Sequence, residues 1–353
     1  MLPPLPPNPK IHIDSELLVL MNQADNSLLK LNGALSVLDE VEFIFKLLEI
    51  SESIENLSID DNNISILDYY SNLIASENQK NIRVDNIISA VKLGQKLLKD
   101  VGSASHILKA VHKEIFKESY SENFGKFRTT NLYVGESGDA QSIKYSAPYP
   151  DEIDKLISQL ENYIASNVSY PALVNAALIH AQFEMIHPFE TGNGLVGRIL
   201  IHLNLNWKKI LPGQLLQISR ILRSRRLEYF DRLEDIEKNN NWLGWIKFFI
   251  RSINDSGALT LKIIKDASYL KNGVYKKCLS DVPNSINAIQ MFESVFNNPV
   301  LTSTSIINEL SLNKQTASVL INKFVANSFL EEITGQQRNR IYANKQLLNI
   351  LSQ

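Results

Sequence analysis

Apolar positions recur every three to four residues over most of the chain, the spacing that turns one side of an α-helix toward a core. The pattern predicts helices in "SELLVLMNQADNSLLKLNGAL" (15–35), "LDEVEFIFKLLEISESIE" (38–55), "IDKLISQLENYIASN" (153–167), "ALVNAALIHAQFEMI" (172–186) and "LVGRILIHLNLNWKKIL" (195–211). Asp and Ser stand near helix starts, and Pro171, Pro188 and Pro212 stand at boundaries. The helical period lapses in "GKFRTTNLYVGESGDAQSIKYSAPYP" (125–150), where β-favouring residues flank "GESGD"; a hairpin is expected there. Near the C-terminal end, "LTSTSIINELSLNKQTASVLINKFVANSFLEEITGQQRNRIYAN" reads as a short helix, a turn, a second helix and two strands around "TGQQRN". That order predicts a winged helix-turn-helix. The expected fold class is mainly α, with a small β-hairpin and this C-terminal unit.

Composition narrows the picture. At 353 residues, with 44% apolar and 21% charged, the chain has room for two or three domains and a well-buried core. A net charge of −2 provides no global attraction to nucleic acid or anionic membrane. The single cysteine, Cys278, excludes an intramolecular disulfide framework and points to a reducing cytoplasm. "MLPPLPPNPK" reads as an extended polyproline arm, and no stretch approaches the roughly twenty apolar residues that cross a bilayer.

The richest chemistry lies in "EMIHPFETGNGLVGR" (184–198). Pro188 cannot continue a helix, so the helix before it should end near His187 and present the ring at its terminus. Gly192 and Gly194 flank Asn193, a turn whose backbone N–H groups can converge on an anion. A second helix from Leu195 would add its N-terminal donors, and Arg198, one turn in, would reach a phosphate bidentately. These parts make a cradle for a polyphosphate with a candidate general base at its mouth. Two other readings stand beside it: a purely structural helix corner, and a metal site from His180, Glu184 and His187 on one helical face.

"HPFETGNGLVGR" resembles the signature of the Fic (Fic/Doc) family, HPFx(D/E)GNGRxxR, and "PALVNAALIHAQFEMIHPF", "GKFRTTNLYVG", "SAPYPDEI", "RLEYFDRL" and "NWLGWIKFFI" resemble the surrounding core in order. The resemblance implies a mainly helical Fic core that binds ATP with Mg²⁺ and moves AMP to a Ser, Thr or Tyr hydroxyl of a target protein, the chain itself included. By the same resemblance His187 takes the hydroxyl proton, and the stretch Thr191, Gly192, Asn193, Gly194, Leu195, Val196, Gly197 and Arg198 binds the nucleotide. The hairpin becomes a flap that docks the target by strand addition. Two positions depart from the signature. Thr191 replaces an acid that helps hold Mg²⁺, and Leu195 replaces the first arginine.

"SESIEN" (51–56) is similar to the family's inhibitory pattern, (S/T)xxxE(G/N). Ser51, Glu55 and Asn56 match it, which implies that Glu55 pairs with Arg198 and blocks the ATP γ-phosphate. The arginines of 219–232 read as a solvated helix face or the rim of a nucleotide entrance; Tyr229 and Phe230 read as an adenine wall or as core. His112 and His202 read as core, and Arg128 as a tie between flap and core. The expected division is a proline-rich arm (1–12), an N-terminal helical domain (13–100), the core (101–255), a helical linker (256–285) and the winged unit (286–353). Besides an autoinhibited adenylyltransferase, two functions stay open. One is a nucleotide-sensing DNA-binding regulator; the other is transfer of a different phosphate-containing group.

Overall fold

The computed structural model describes residues 2–7, 10–38, 41–60, 64–74, 81–99, 103–119, 121–135, 143–166, 170–281 and 286–352. The helices before the motif are α1 (Ser15–Ser36), α2 (Val41–Ile59), α3 (Ile66–Ile74), α4 (Ile82–Lys99), α5 (Ala104–Ile115), α6 (Ile153–Ala165) and α7 (Ala172–Ile186). After it come α8 (Asn193–Trp207), α9 (Ile218–Ser224), α10 (Arg226–Asn239), α11 (Trp242–Asp281), α12 (Ile286–Asn297), α13 (Ser303–Glu309), α14 (Lys314–Ala326) and α15 (Lys345–Leu351). The described residues thus form a mainly α fold. No helix is long and apolar enough to cross a membrane among the described residues.

The sequence pattern explains which helix sits innermost. From Leu173 to Ile186 every α7 residue except Asn175 is buried, so this helix is covered on all sides. It packs on α6, α8, α10 and α11, and Trp245 of α11 donates to the Ala177 carbonyl (2.8 Å). In α8 the side chains from Leu195 to Ile199 are also buried, between α4 and α7. The expected hairpin is present as β1 (Tyr133–Gly135) and β2 (Ile143–Ser146), antiparallel with Tyr133 opposite Ser146. The tip of "GESGD", from Glu136 onward, lies outside the described residues.

Two elements differ from the sequence reading. No break separates core from linker at 255, because α11 is a single 40-residue helix against which α1 packs. Its periodic pattern contains no proline, so nothing in the local sequence stops it. The side chain of Cys278 lies outside the described residues. The C-terminal strands are three: β3 (Val300–Thr302), β4 (Glu331–Glu332) and β5 (Ile341–Ala343), in sheet order β3-β5-β4. α15 then returns to pack on α2, α3 and α11.

The α7–α8 contact is close because Gly197 has no side chain. A Cβ at that position would lie 2.0 Å from Glu184 Oε1 and 3.1 Å from the Phe183 ring. Since Glu184 is buried, its carboxyl has no room to swing aside. Gly197→Ala should therefore destabilise the protein by about 1–3 kcal/mol despite the better helix propensity of alanine. Urea unfolding measures it, and the cost should shrink in a Glu184→Ala background; equal costs in both backgrounds would locate the strain elsewhere.

Candidate active site

α7 ends as Pro188 requires. His187 caps it in the left-handed region (φ 50°, ψ 59°), with its N–H bonded to the Phe183 carbonyl at 3.1 Å. Arg128 holds this unfavourable conformation in place. Its Nε donates to the His187 carbonyl (2.8 Å), its Nη1 to Thr130 (2.9 Å) and its Nη2 to Pro148 (2.6 Å). Its backbone N–H bonds the Pro188 carbonyl (2.8 Å). One buried guanidinium thus ties the motif loop to the segments entering and leaving the hairpin.

The His187 ring has a defined tautomer. Nδ1 lies 3.1 Å from the Glu184 carbonyl, which can only accept, so Nδ1 carries the proton and Nε2 is the acceptor nitrogen. Burial, the main cause, lowers its pKa to about 4, so the ring is neutral at pH 7.

Asn193 closes the loop. Its Oδ1 accepts from the Phe189 N–H and its Nδ2 donates to the Phe189 carbonyl, both at 2.8 Å. A buried histidine that the sequence reading assigned to the core buttresses the same loop. His112 Nδ1 accepts from the Gly125 N–H (2.9 Å), so Nε2 donates to the Thr191 carbonyl (3.0 Å), and the ring stacks on Phe189 at 3.9 Å. Gly192 is required here: its φ is +73°, and a Cβ would meet the Phe116 ring at 2.6 Å.

Arg198 is 1% exposed. Its Nε donates to Asn56 Oδ1 (2.6 Å), and its Nη2 to the Asn56 carbonyl (3.0 Å) and to Asp60 Oδ2 (2.7 Å). A Cβ on Gly194 would lie 2.7 Å from Arg198 Nη1 and 3.3 Å from Asp60 Oδ2. The ion pair therefore lies against the first turn of α8, where orphan N–H groups favour negative charge. Glu184 lies nearby. Burial raises its carboxyl to about 7, while Arg198 pulls the other way.

The expected Glu55–Arg198 pair is not formed, which corrects the sequence reading. Glu55 bonds instead to Arg220 Nε (3.1 Å) and Arg223 Nη1 (2.7 Å), and Arg220 Nη2 also reaches Ser51 Oγ (3.0 Å). Helix phase is the reason. Ser51 and Glu55, four residues apart, share the α2 face toward α9, whereas Asn56 and Asp60, also four apart, share the face toward α8. The sequence reading missed Asp60, although counting one turn on from Asn56 would have found it.

Other expectations resolve as follows. Leu195 and Val196 turn their side chains into the core, and Asn193 commits its amide to Phe189, so of these three only backbone groups could face a nucleotide. Thr191 is exposed, Gly192 and Gly194 are half-buried, and Gly197 lies beneath Glu184. The 219–232 arginines divide: Arg225 pairs with Asp255 (2.6 Å) and Arg226 donates to the Ile59 carbonyl (3.2 Å), whereas Arg223 is exposed and Arg232 pairs with Glu228 of its own helix (3.3 Å) on a partly solvated face. Tyr229 is buried with its hydroxyl 2.9 Å from His180 Nε2, a core role, while Phe230 is half-buried under Arg226. His202 meets Glu52 at 3.1 Å in the core.

The metal triad does not assemble. His180 uses Nδ1 on the Gly197 carbonyl (3.0 Å) and Nε2 on Tyr229, and the described residues hold no cluster of three or more metal-type ligands. A carboxylate-held Mg²⁺ fits poorly as well. The position that would supply the acid is the neutral Thr191, and the neighbouring Glu190 is exposed and accepts from Asn123 Nδ2 (3.0 Å).

Comparison with known proteins bears on the family and the fold. The Fic/DOC family model matches residues 103–205, the stretch from α5 to α8. A protein of Aquifex aeolicus named "Probable protein adenylyltransferase" is 28% identical over 116 residues, covering 28% of this chain and 36% of its own length. The "Protein adenylyltransferase Fic" of Aedes aegypti is 26% identical over 191 residues, covering 52% of this chain and 34% of its own length. The chain therefore spans about a third of the length of these relatives. In fold, it is similar to a Fic family protein from Desulfovibrio desulfuricans G20, at TM-score 0.59 and 18% identity over 95% of this chain and 97% of that one. A Fic domain-containing signaling protein from Bacteroides thetaiotaomicron gives 0.55 at 16% identity, over 68% of this chain and 97% of that one. The His187 loop, Arg198 and the hairpin all lie inside residues 103–205, the segment that matches the Fic/DOC family model.

Proposed function

We propose that the chain is a protein adenylyltransferase, moving AMP from ATP to a hydroxyl of a target protein. The observation that carries this reading is a proton-accepting His187 Nε2 separated by one loop from an arginine lying against a helix N-terminus. The names of the curated relatives support the choice of adenylyl transfer. The target's hydroxyl oxygen forms a bond to the α-phosphorus, its proton passes to His187 Nε2, and the bond to pyrophosphate breaks. The first-turn amides of α8 and Arg198 hold phosphate oxygens. The β1–β2 hairpin, anchored by Arg128, aligns the target backbone by strand addition.

In the resting state Asp60 occupies Arg198. A phosphate and this carboxylate compete for one guanidinium, which makes Asp60, rather than Glu55, the inhibitory acid. Displacing Asp60 should recover one charge-assisted contact, worth about 1.5–3 kcal/mol, of which solvent at this half-exposed carboxylate takes a part.

Three outcomes test the reading. His187→Ala should abolish AMP transfer, scored by mass spectrometry of the modified chain, while nucleotide binding stays within about threefold, because the ring faces the acceptor rather than the phosphates. Transfer at undiminished rate in that variant would remove His187 from the reaction.

Because the His187 pKa is lowered to about 4, the base stays neutral well below pH 6.5. Transfer should therefore fall by less than about 1.5-fold between about pH 7.5 and about pH 6, where an ordinary imidazole would lose about fourfold. A fourfold loss that persists in a Glu184→Gln background, where the carboxyl raised to about 7 is gone, would show a base of ordinary pKa.

Asp60→Ala should raise transfer about fivefold to a hundredfold. Glu55→Gly should raise it less, since Glu55 acts on Arg220 and Arg223. The reverse order, with Glu55→Gly the stronger activator, would return the inhibitory role to Glu55.

A further inference from the structure

Beyond the motif loop, the C-terminal unit presents a face that the transfer reaction does not use. α13 and α14 follow one another through a short turn, with Ala317, Leu320, Ile321 and Phe324 of α14 buried. Its opposite side exposes Lys314, Gln315, Ser318, Val319 and Asn322, at intervals of three and four that make one stripe. The connection between β4 and β5 exposes Gln336, Gln337, Arg338, Asn339 and Arg340.

The charge of this face is one-sided along α14, whereas the acids of the unit lie toward the wing and its base. Residues 299–353 contain three acids, Glu309, Glu331 and Glu332. Glu331 is paired with Lys345 at 2.6 Å. Glu332 folds back onto Thr334 and onto the Gly335 N–H at 3.1 Å, where it shapes the turn. Glu309 lines one cavity with Asn339 and Arg340 and also attracts Lys46 of α2. No carboxylate belongs to the α14 stripe, which leaves Lys314, Lys323 and Arg338 as the cations of this face, with Arg340 beside Glu332 and bonded through Nε to the Gln336 carbonyl (2.8 Å).

We infer that α14 and the β4–β5 wing form a duplex DNA-binding surface, with α14 in the major groove and Arg338 and Arg340 on the phosphates alongside. The stripe is suited to base edges as well as to the backbone. Gln315 and Asn322 carry the amides that pair with adenine, and Val319, 48% exposed, is an apolar contact for a thymine methyl. The surface therefore favours a site rich in A·T pairs. Duplex RNA does not fit, because its major groove is too narrow to admit a helix.

The inference is independent of the adenylyl-transfer reading and is tested on the full chain. Fluorescence anisotropy with labelled duplexes should show binding that weakens about 40- to 150-fold between about 50 and about 200 mM salt, as expected for three to four neutralised phosphates. Arg338→Glu with Arg340→Glu should weaken binding at least tenfold to A·T-rich and G·C-rich duplexes alike. Gln315→Ala with Asn322→Ala should leave the salt dependence in place and reduce the preference for A·T-rich duplex by about fivefold or more. All four positions are exposed, and unchanged thermal melting confirms that the variants fold. Absence of duplex binding at low salt overturns the inference and makes the face a protein-docking surface. Binding indifferent to both double variants overturns it too, by placing DNA elsewhere on the chain.

Discussion

A guanidinium held out of water must be neutralised where it lies, and much of this structure answers that requirement at Arg198. The side chain is 1% exposed, and three kinds of partner converge on it: an amide and a carbonyl from Asn56, the carboxylate of Asp60, and the charge of Glu184 below. Two of these partners, Asn56 of α2 and Asp60 one residue beyond its end, lie about 140 residues earlier in the chain. The position of α2 is therefore part of the electrostatics of the site, and α2 is firmly fixed. Glu52, itself buried, accepts from Ser219 Oγ (2.6 Å) and contacts His202, while Gln217 donates to the Leu48 carbonyl (3.1 Å).

The loop between α7 and α8 is built with similar closure. Its tightest turn depends on a glycine where any side chain would strike Phe116, its backbone is cross-bonded by Asn193, and its outer edge rests on His112. Neutral imidazoles suit both histidines of the site, and burial keeps both so. In His112 the neutral ring accepts at one nitrogen and donates at the other, which a charged ring could not do.

Much of this was legible in the sequence, for identifiable reasons. Pro188 stops α7 within one residue of the position its ring dictates, and the glycines around Asn193 announce the turn. The hairpin showed through its lapse of helical period. What stayed hidden depended on phase or on distance. The inhibitory pattern supplies a carboxylate without saying which face of α2 it occupies, and the packing of α2 between α8 and α9 turns Glu55 away from Arg198 and Asp60 toward it. His112 was taken for an ordinary core residue because its contact with Thr191 spans 79 positions and leaves no local trace. The partners of Arg220, Arg223 and Arg225 could not be read from that segment, because Glu55 and Asp255 lie outside it.

Asp60 stands one residue beyond the end of α2, with its N–H reaching back to the Leu57 carbonyl at 3.3 Å. Helix ends open and reclose in well under a microsecond, whereas enzyme turnovers commonly take milliseconds or longer. In the inhibitory role proposed for it, a carboxylate tethered there would sample its bound and released positions thousands of times within one catalytic cycle. Its hold on Arg198 is then an equilibrium occupancy rather than a gate with a waiting time. A signal that relieves it need supply no force to pull α2 out of the core; it need only tilt, by one or two kcal/mol, a balance that the last turn of one helix is already exploring.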